Sequence, residues 1–242
     1  MKIAAISDVH VKSPGDDAQV LLEKFFEHPD VRSAQHVLLL GDIFDLMCGP
    51  HEEYLKDFET IFHKIDALVK SGVKVHYFEG NHDVHLEKLF RKFWPKGEVR
   101  ARQLPEIESW DGKSYYFSHG DEHEPHNDSY QRYKKLILSP PLRFVANHLM
   151  PYKILKFTGE KASAMSRKKG SKKFDVEKVR ATFRQGVREV TKGEYDFVIG
   201  GHSHVQDKFI MEKSIYLNNG YALKTKTFIL IDNHQPRFVP LA

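Results

Sequence analysis

The chain holds a single cysteine, Cys48, among 242 residues. A lone thiol excludes a disulfide framework and a tetrahedral zinc site of the cysteine type, and it fits a reducing compartment. No apolar run approaches the roughly 18 residues that a membrane-crossing helix requires. The N-terminus begins on a strand-like run from Lys2 to Ile6 and offers no charged-then-apolar leader with a cleavage site, so the expected location is the cytoplasm. There are no internal repeats. The formal charge of +4 is modest, and the isoelectric point is near 8.9. The one basic stretch lacks the interleaved aromatic residues of a base-stacking groove, which argues against a nucleic-acid partner. A composition that is 40% hydrophobic suffices for one large core, and a two-sheet sandwich of this length forms a single domain.

What the chain does have is five short polar clusters: Asp8-x-His10, Gly41-Asp42-x-x-Asp45, Gly80-Asn81-His82-Asp83, Ser118-His119-Gly120 and Gly201-His202-x-His204. Each follows a short run rich in Val, Ile, Leu, Tyr or Phe, at 1–6, 36–40, 73–78, 114–117 and 196–199, and such runs read as buried strands. In α/β sheets ligands bind outside the carboxyl ends of strands, so five strand ends that are distant in sequence can meet at one site. Any one cluster arises by chance; five in order, each at a strand end, form a pattern.

The donors are Asp, His and Asn, an oxygen and imidazole set that suits Mn²⁺, Fe²⁺ or Zn²⁺. Seven side chains (Asp8, His10, Asp42, Asn81, His119, His202, His204) are too many for one ion. With one bridging carboxylate they fill two neighbouring ions and leave room for water and substrate, the arrangement of a two-metal hydrolase. His28, His36, His51, His63, His76, His148 and His234 lie outside the pattern and read as surface or half-buried histidines. For His85, His123 and His126 the spacing leaves the role open.

Helical spacing of apolar residues predicts helices over 17–27 and 52–70, the second stopping at Ser71-Gly72. From 127 to 192 the strand pattern vanishes, and Pro140-Pro141 and Pro151 punctuate helical pieces. Strands return near Tyr195, and runs at 215–217, 227–231 and 238–239 are expected to finish the second sheet. The organisation expected is a core of 1–126 with 193–242 and a helical cap inserted at 127–192. The first half of the insertion is apolar. The stretch from Lys153 to Lys173 has eight Lys or Arg against one acid, Glu160. An apolar element joined to a basic one suits a substrate carrying both acyl chains and phosphate, or an anionic membrane surface; burial against the core is the alternative.

The five clusters, in this order from 8 to 204, resemble those of the calcineurin-like metallophosphoesterase superfamily. The resemblance implies a four-layer α/β/β/α sandwich. It also implies Asp8, His10 and His204 on one metal, Asn81, His119 and His202 on the other, and Asp42 bridging. It places His82 beside the phosphate as general acid or transition-state stabiliser, with Asp83 orienting it, and makes Asp45 a support for the ligands. The reaction expected is attack of a metal-bridging hydroxide on phosphorus.

The spacing of His119-Gly120-Asp121, Asp128, Tyr130 and Gln131, then a helical insertion and Gly201-His202-x-His204, is similar to that of the UDP-2,3-diacylglucosamine pyrophosphatase family of lipid A synthesis. That likeness implies hydrolysis of UDP-2,3-diacylglucosamine to UMP and 2,3-diacylglucosamine 1-phosphate, with Mn²⁺, at the cytoplasmic face of the inner membrane. It further implies an insertion that covers the acyl chains, and substrate contacts from Asn81, Asp128, Tyr130, Lys168, Lys169 and Lys172. Three features depart from it. The family's Gly-Asn-Arg-Asp is Gly80-Asn81-His82-Asp83, its paired aspartates are Asn127-Asp128, and its Gln-x-x-Arg is Gln131-Arg132-Tyr133-Lys134. A titratable imidazole differs from a fixed guanidinium, so a soluble phosphodiesterase or phosphatase acting on nucleotides, nucleic acid or phosphoproteins stays open as an alternative.

Overall fold

A computed structural model describes residues 1–124, 126–157 and 174–241. Its strands in chain order are β1 (Lys2–Ile6), β2 (His36–Leu40), β3 (Met47–Cys48), β4 (Lys74–Phe78), β5 (Asp83–Val84), β6 (Ala101–Arg102), β7 (Glu106–Trp110), β8 (Lys113–Phe117), β9 (Phe197–Gly200), β10 (Gln206–Met211), β11 (Ser214–Asn219), β12 (Thr227–Asp232) and β13 (Gln235–Pro240). They form a six-stranded sheet, β13-β12-β1-β2-β4-β6, a five-stranded sheet, β10-β11-β9-β8-β7, and a small pair, β3-β5.

Side-chain alternation along the strands builds the layers. Ile3, Ala5, Leu38, Leu40, Ile229 and Ile231 of the first sheet meet Tyr115, Phe117, Phe197, Ile199 and Leu217 of the second in one buried cluster. The alternate residues Ala4, Ile6, Val37, Leu39, Phe228 and Leu230 face outward onto helices Asp17–Glu27, Glu59–Lys70 and Glu87–Phe93, through Leu22, Phe25, Ile61, Phe62, Ile65 and Phe90. On the outer face of the second sheet, Tyr116, Val198 and Tyr216 pack against Val187 of helix Val176–Thr191. The layers are therefore α/β/β/α, with both sheets covered on both faces.

Two expectations are corrected. The runs at 227–231 and 238–239 were assigned to the second sheet, but β12 pairs antiparallel with β1 and β13 with β12, so both extend the first sheet. The helix expected over 52–70 breaks at Phe58, whose φ of −116° and ψ of 29° separate Glu53–Asp57 from Glu59–Lys70. The break lets Phe58 reach the core, where it packs on Phe44.

Helices Asp128–Ile137 and Pro140–His148 and a further helical segment at 152–157 lie over the β3-β5 pair. Ile137, Ala146, Met150 and Leu155 pack on Cys48 and Val84. Leu136, Phe144, Leu149, Ile154 and Phe157 are exposed. The apolar half of the insertion thus divides between an anchoring face and an outward face. No helix among the described residues is long and apolar enough to cross a membrane.

Candidate metal centre

β1, β2 and β4 run parallel in one sheet, as do β8 and β9 in the other. Their carboxyl ends therefore deliver the five clusters to a common rim. Gly80 and Gly201 permit close approach of the ligand loops: a Cβ at Gly80 would lie 2.2 Å from Asp42 Oδ1, and one at Gly201 2.4 Å from Asp8 Oδ2. Asp8, His10, Asp42, His202 and His204 all adopt positive φ, between 52° and 64°. Such backbone costs about 1–3 kcal/mol per residue and persists where surrounding bonds over-determine it. Here the loops are laced together: the N–H groups of Val9 and His10 both donate to the Asp42 carbonyl, and Asp8 N–H donates to Gly41.

Two donor groups converge. Asp8, His10 and His204 present ligand atoms within 4.8 Å of one another, and so do Asp42, His119 and His202. Asp42 stands between the groups: its Oδ1 accepts from the N–H of Asn81 and His82, both at 2.9 Å, while Oδ2 lies 3.5 Å from His119 Nε2 and 3.8 Å from His10 Nε2. Asn81 Oδ1 is 3.0 Å from His119 Nε2. His119 Nδ1 contacts the Leu40 carbonyl at 3.2 Å; a carbonyl only accepts, so Nδ1 carries the hydrogen and Nε2 of the neutral ring is a lone pair. That lone pair faces Asn81 Oδ1 and the Asp42 carboxylate, three acceptors that require a proton or a cation among them. In the other group, His10 Nε2 and His204 Nε2 approach to 3.2 Å, with Asp8 Oδ1 3.4 Å from the latter. These donor sets fit divalent cations bound by oxygen and imidazole nitrogen.

The electrostatics show the same demand for positive charge. Burial acts to raise the Asp42 carboxyl, yet His119, His82 and His10 outweigh it and hold the group well below the usual carboxylate range. Burial acts to lower His119, and Asp42 outweighs it, raising that imidazole well above its ordinary value. His202 is pushed down to about 4 by burial and by His119, which leaves a neutral ring with a lone pair to offer.

His82 projects beside these groups, its ring 4.9 Å from that of His10. Its Nδ1 donates to the Asp45 carbonyl at 2.8 Å, which turns Nε2 toward the centre. The carboxylate of Asp45 lies 3.5 Å from His10 Nδ1, and His10, Asp45 and His82 form a third convergent group. Asp83, expected to orient His82, instead turns to the backbone. Its Oδ1 accepts from the N–H of Asp42 at 3.0 Å and Gly80 at 2.6 Å; its Oδ2 accepts from Ile43 N–H at 2.8 Å and the Tyr77 hydroxyl at 2.7 Å. Asp83 therefore shapes the loops that carry Asp42 and Asn81, and Asp45 aims the ring.

Among the expected substrate contacts, Asn81 lies in the centre. Tyr130 sits at its edge, ring 5.1 Å from His202, but its hydroxyl donates to Asp121 at 3.2 Å. Asp128 is exposed in the first turn of its helix. Lys168, Lys169 and Lys172 lie outside the described residues. Asp121, part of the quoted spacing but given no role from sequence, also receives Lys134 Nζ at 2.8 Å and so ties helix Asp128–Ile137 to the rim. The sequence reading missed Tyr221, stacked 5.3 Å from His204, and Asn219, whose Oδ1 accepts from the N–H and hydroxyl of Ser7. The Asn218-Asn219-Gly220-Tyr221 run closes β11 and continues past its end, much as the five clusters sit at the ends of their strands, and that was the available signal.

The calcineurin-like phosphoesterase family matches residues 1–206, a span that contains all five clusters. The chain is 29% identical over 207 residues to the UDP-2,3-diacylglucosamine hydrolase of Actinobacillus succinogenes, covering 84% of this chain and 83% of that protein. It is 27% identical over 203 residues to the protein of that name from Neisseria meningitidis, covering 82% and 80%. Among solved structures, an archaeal phosphodiesterase superposes with a TM-score of 0.51 at 15% identity over 99% of each chain, a likeness of fold. Parallel strand ends, a histidine and carboxylate centre that calls for cations, and a family match across that whole region lead to one assignment: the chain belongs to the calcineurin-like phosphoesterase family and is a metal-dependent hydrolase.

Proposed function

We propose that this hydrolase cleaves the pyrophosphate of UDP-2,3-diacylglucosamine, releasing UMP and 2,3-diacylglucosamine 1-phosphate. The observation that carries the reading is the coincidence of a two-group metal centre with relatives of that name aligned over more than four fifths of the chain. Asp8, His10 and His204 would hold one ion and Asn81, His119 and His202 a second, with Asp42 Oδ2 between them. Manganese is the ion we favour, and iron or zinc suits the same donors. When bound, two such ions supply the Lewis acidity that makes hydroxide available near neutral pH and neutralises phosphoryl oxygens.

The chain's own residues supply the rest. Asp83 and the lacing of the loops fix the donors before substrate arrives, so little reorganisation is needed. His82, held through Nδ1, turns Nε2 toward the centre, and with the ring protonated at both nitrogens Nε2–H would donate its proton to the leaving oxygen or balance charge in the transition state. Asp128, Tyr130, Lys168, Lys169 and Lys172 are proposed to contact the substrate, with the part of 127–192 that precedes helix Val176–Thr191 as the cap, because that helix forms the outer layer of the second sheet. The outward apolar residues Leu136, Phe144, Leu149, Ile154 and Phe157 suit acyl chains or the inner-membrane surface that presents them. His82 in place of arginine favours a second reading, a phosphodiesterase of small soluble esters. The test is to incubate Mn²⁺-loaded protein in detergent with UDP-2,3-diacylglucosamine, UDP-glucose and bis-p-nitrophenyl phosphate. Efficient UMP release from the acylated substrate alone supports the lipid reading; turnover of only the small esters supports the other.

A further inference from the structure

Beside the His10, Asp45 and His82 group lies a cavity of about 260 Å³, lined by Lys12, Ser13, Asp45, Leu46, Tyr54, Phe58, Tyr152 and Lys156. Core and insertion build it together. Tyr152 donates its hydroxyl to Asp57 at 2.5 Å, and Lys156 Nζ reaches the same carboxylate at 3.0 Å, which fixes the outer wall. Tyr54 and Tyr152 meet edge to face with ring centroids 5.0 Å apart.

We infer that this cavity is a nucleoside subsite, holding the pyrimidine and ribose of a nucleotide whose phosphate lies on the metal centre. Three features carry this. The volume falls below the roughly 300–1,000 Å³ of sites that enclose a whole drug-sized ligand, so it accommodates one end of a larger substrate. Its walls combine aromatic rings with polar groups, the surroundings that a flat heteroaromatic ring with hydrogen-bonding edges prefers. The Lys12 ammonium has no ion pair or hydrogen bond among the described residues, leaving a cation to face a carbonyl edge or a phosphate; Lys156, by contrast, is neutralised by Asp57. Asp45 lines the cavity and also holds His82, so the occupant's base and ribose and the reacting bond at its phosphate would lie on the two sides of one residue. The choice of a uridine nucleotide as occupant rests on the proposed function, whose acylated half would lie toward the exposed apolar residues of the insertion.

Calorimetric titration of the metal-loaded full chain with UMP and with ribose 5-phosphate isolates the base, because both ligands bring the same phosphate to the metals. The wild type should bind UMP more tightly, and Tyr152→Ala should cut that preference about tenfold, the loss of one stacking wall. Tyr152→Phe keeps the ring and should keep the preference, while Lys12→Ala should weaken UMP binding. Equal affinity for the two ligands in the wild type, or a preference that Tyr152→Ala leaves unchanged, overturns the subsite. A cavity-dependent preference for UMP without cleavage of UDP-2,3-diacylglucosamine would sustain the subsite and refute the lipid substrate. Cleavage without the preference would do the reverse.

Discussion

Replacing Asp83 by alanine should loosen the centre without touching any expected metal ligand. The side chain is fully buried, and four donors lie within 3.0 Å of it, the N–H groups of Asp42, Gly80 and Ile43 and the hydroxyl of Tyr77, with the Phe44 N–H a longer fifth at 3.5 Å. A buried donor left without a partner costs about 1–3 kcal/mol. The low end applies, because the carboxylate is itself uncomfortable there, pushed up to about 6 by burial and by Asp42. Four donors at that end give about 4 kcal/mol, a large share of the roughly 5–15 kcal/mol that holds a domain together. For a chain of this length each kcal/mol shifts Tm by about 2–4 °C, so Tm should fall by about 8–16 °C. Asp83→Asn keeps the oxygen that serves Asp42 and Gly80 but turns an amide toward Ile43 N–H, and should fall by about half as much. The assay is circular-dichroism melting of the metal-loaded and chelated proteins, with metal content measured alongside. A fall below about 3 °C in Asp83→Ala, with metal retained, would refute the account, since the loop bonds would then contribute nothing.

Asp42→Ala removes the oxygen that stands between the two donor groups, so elemental analysis should find metal lost and turnover abolished. His82→Ala should retain metal and lose about 10²–10⁴ in kcat; undiminished turnover would remove His82 from the chemistry. At the far end of the first sheet, His36 and His76 are held neutral, at about 4 and about 3. Burial comes first in both, followed by Lys74 for His36 and Arg102 for His76. Both folded values lie below the unfolded 6.5, so the unfolded chain binds more protons in acid. Stability should be highest above pH 6.5 and decline as pH falls through 6.5 toward 4, the two hydrogen-bonded rings acting together. Urea titrations between pH 4 and 7 should show that slope and His76→Gln should flatten it; an unchanged slope would place the acid sensitivity elsewhere.

The centre was legible in sequence because its information is local. An apolar run of five residues sets a strand, its last residue sets the rim, and the next few residues are the donors; none of this requires knowing which strands are neighbours. Sheet membership is not local in this way. Nothing within 227–231 distinguishes a partner in the second sheet from β1, and the pairing of Ile229 with Ala5 decides it through contacts more than two hundred residues apart. Strand β10 carries Gln206, Asp207 and Lys208 because it lies at a sheet edge, where one flank faces solvent, and its pattern is too polar to read as a buried strand.

The roles of Asp83 and Asp45 were hidden for a different reason: the partners that define them are main-chain groups, which have no letter in a sequence. Asp83 stands next to His82, and adjacency suggested that one orients the other. Yet Asp83 lies in β5, paired with Met47, where its side chain points into the buried loop layer. The neighbour across that short ladder is the segment that carries Asp45, and the Met47 N–H donates to the His82 carbonyl. The small β3-β5 pair thus sets both tasks at once. It directs Asp83 inward to gather the N–H groups behind Asp42, and it brings the Asp45 carbonyl to His82 Nδ1, which leaves Nε2 on the side of the donor groups. The same pair is the platform on which Ile137, Ala146 and Leu155 of the insertion rest. A change in how this segment seats should therefore reach His82 through two strands of two residues each, and variants at Cys48 or Val84 should alter kcat while leaving metal content unchanged; unchanged kcat in both would refute the coupling.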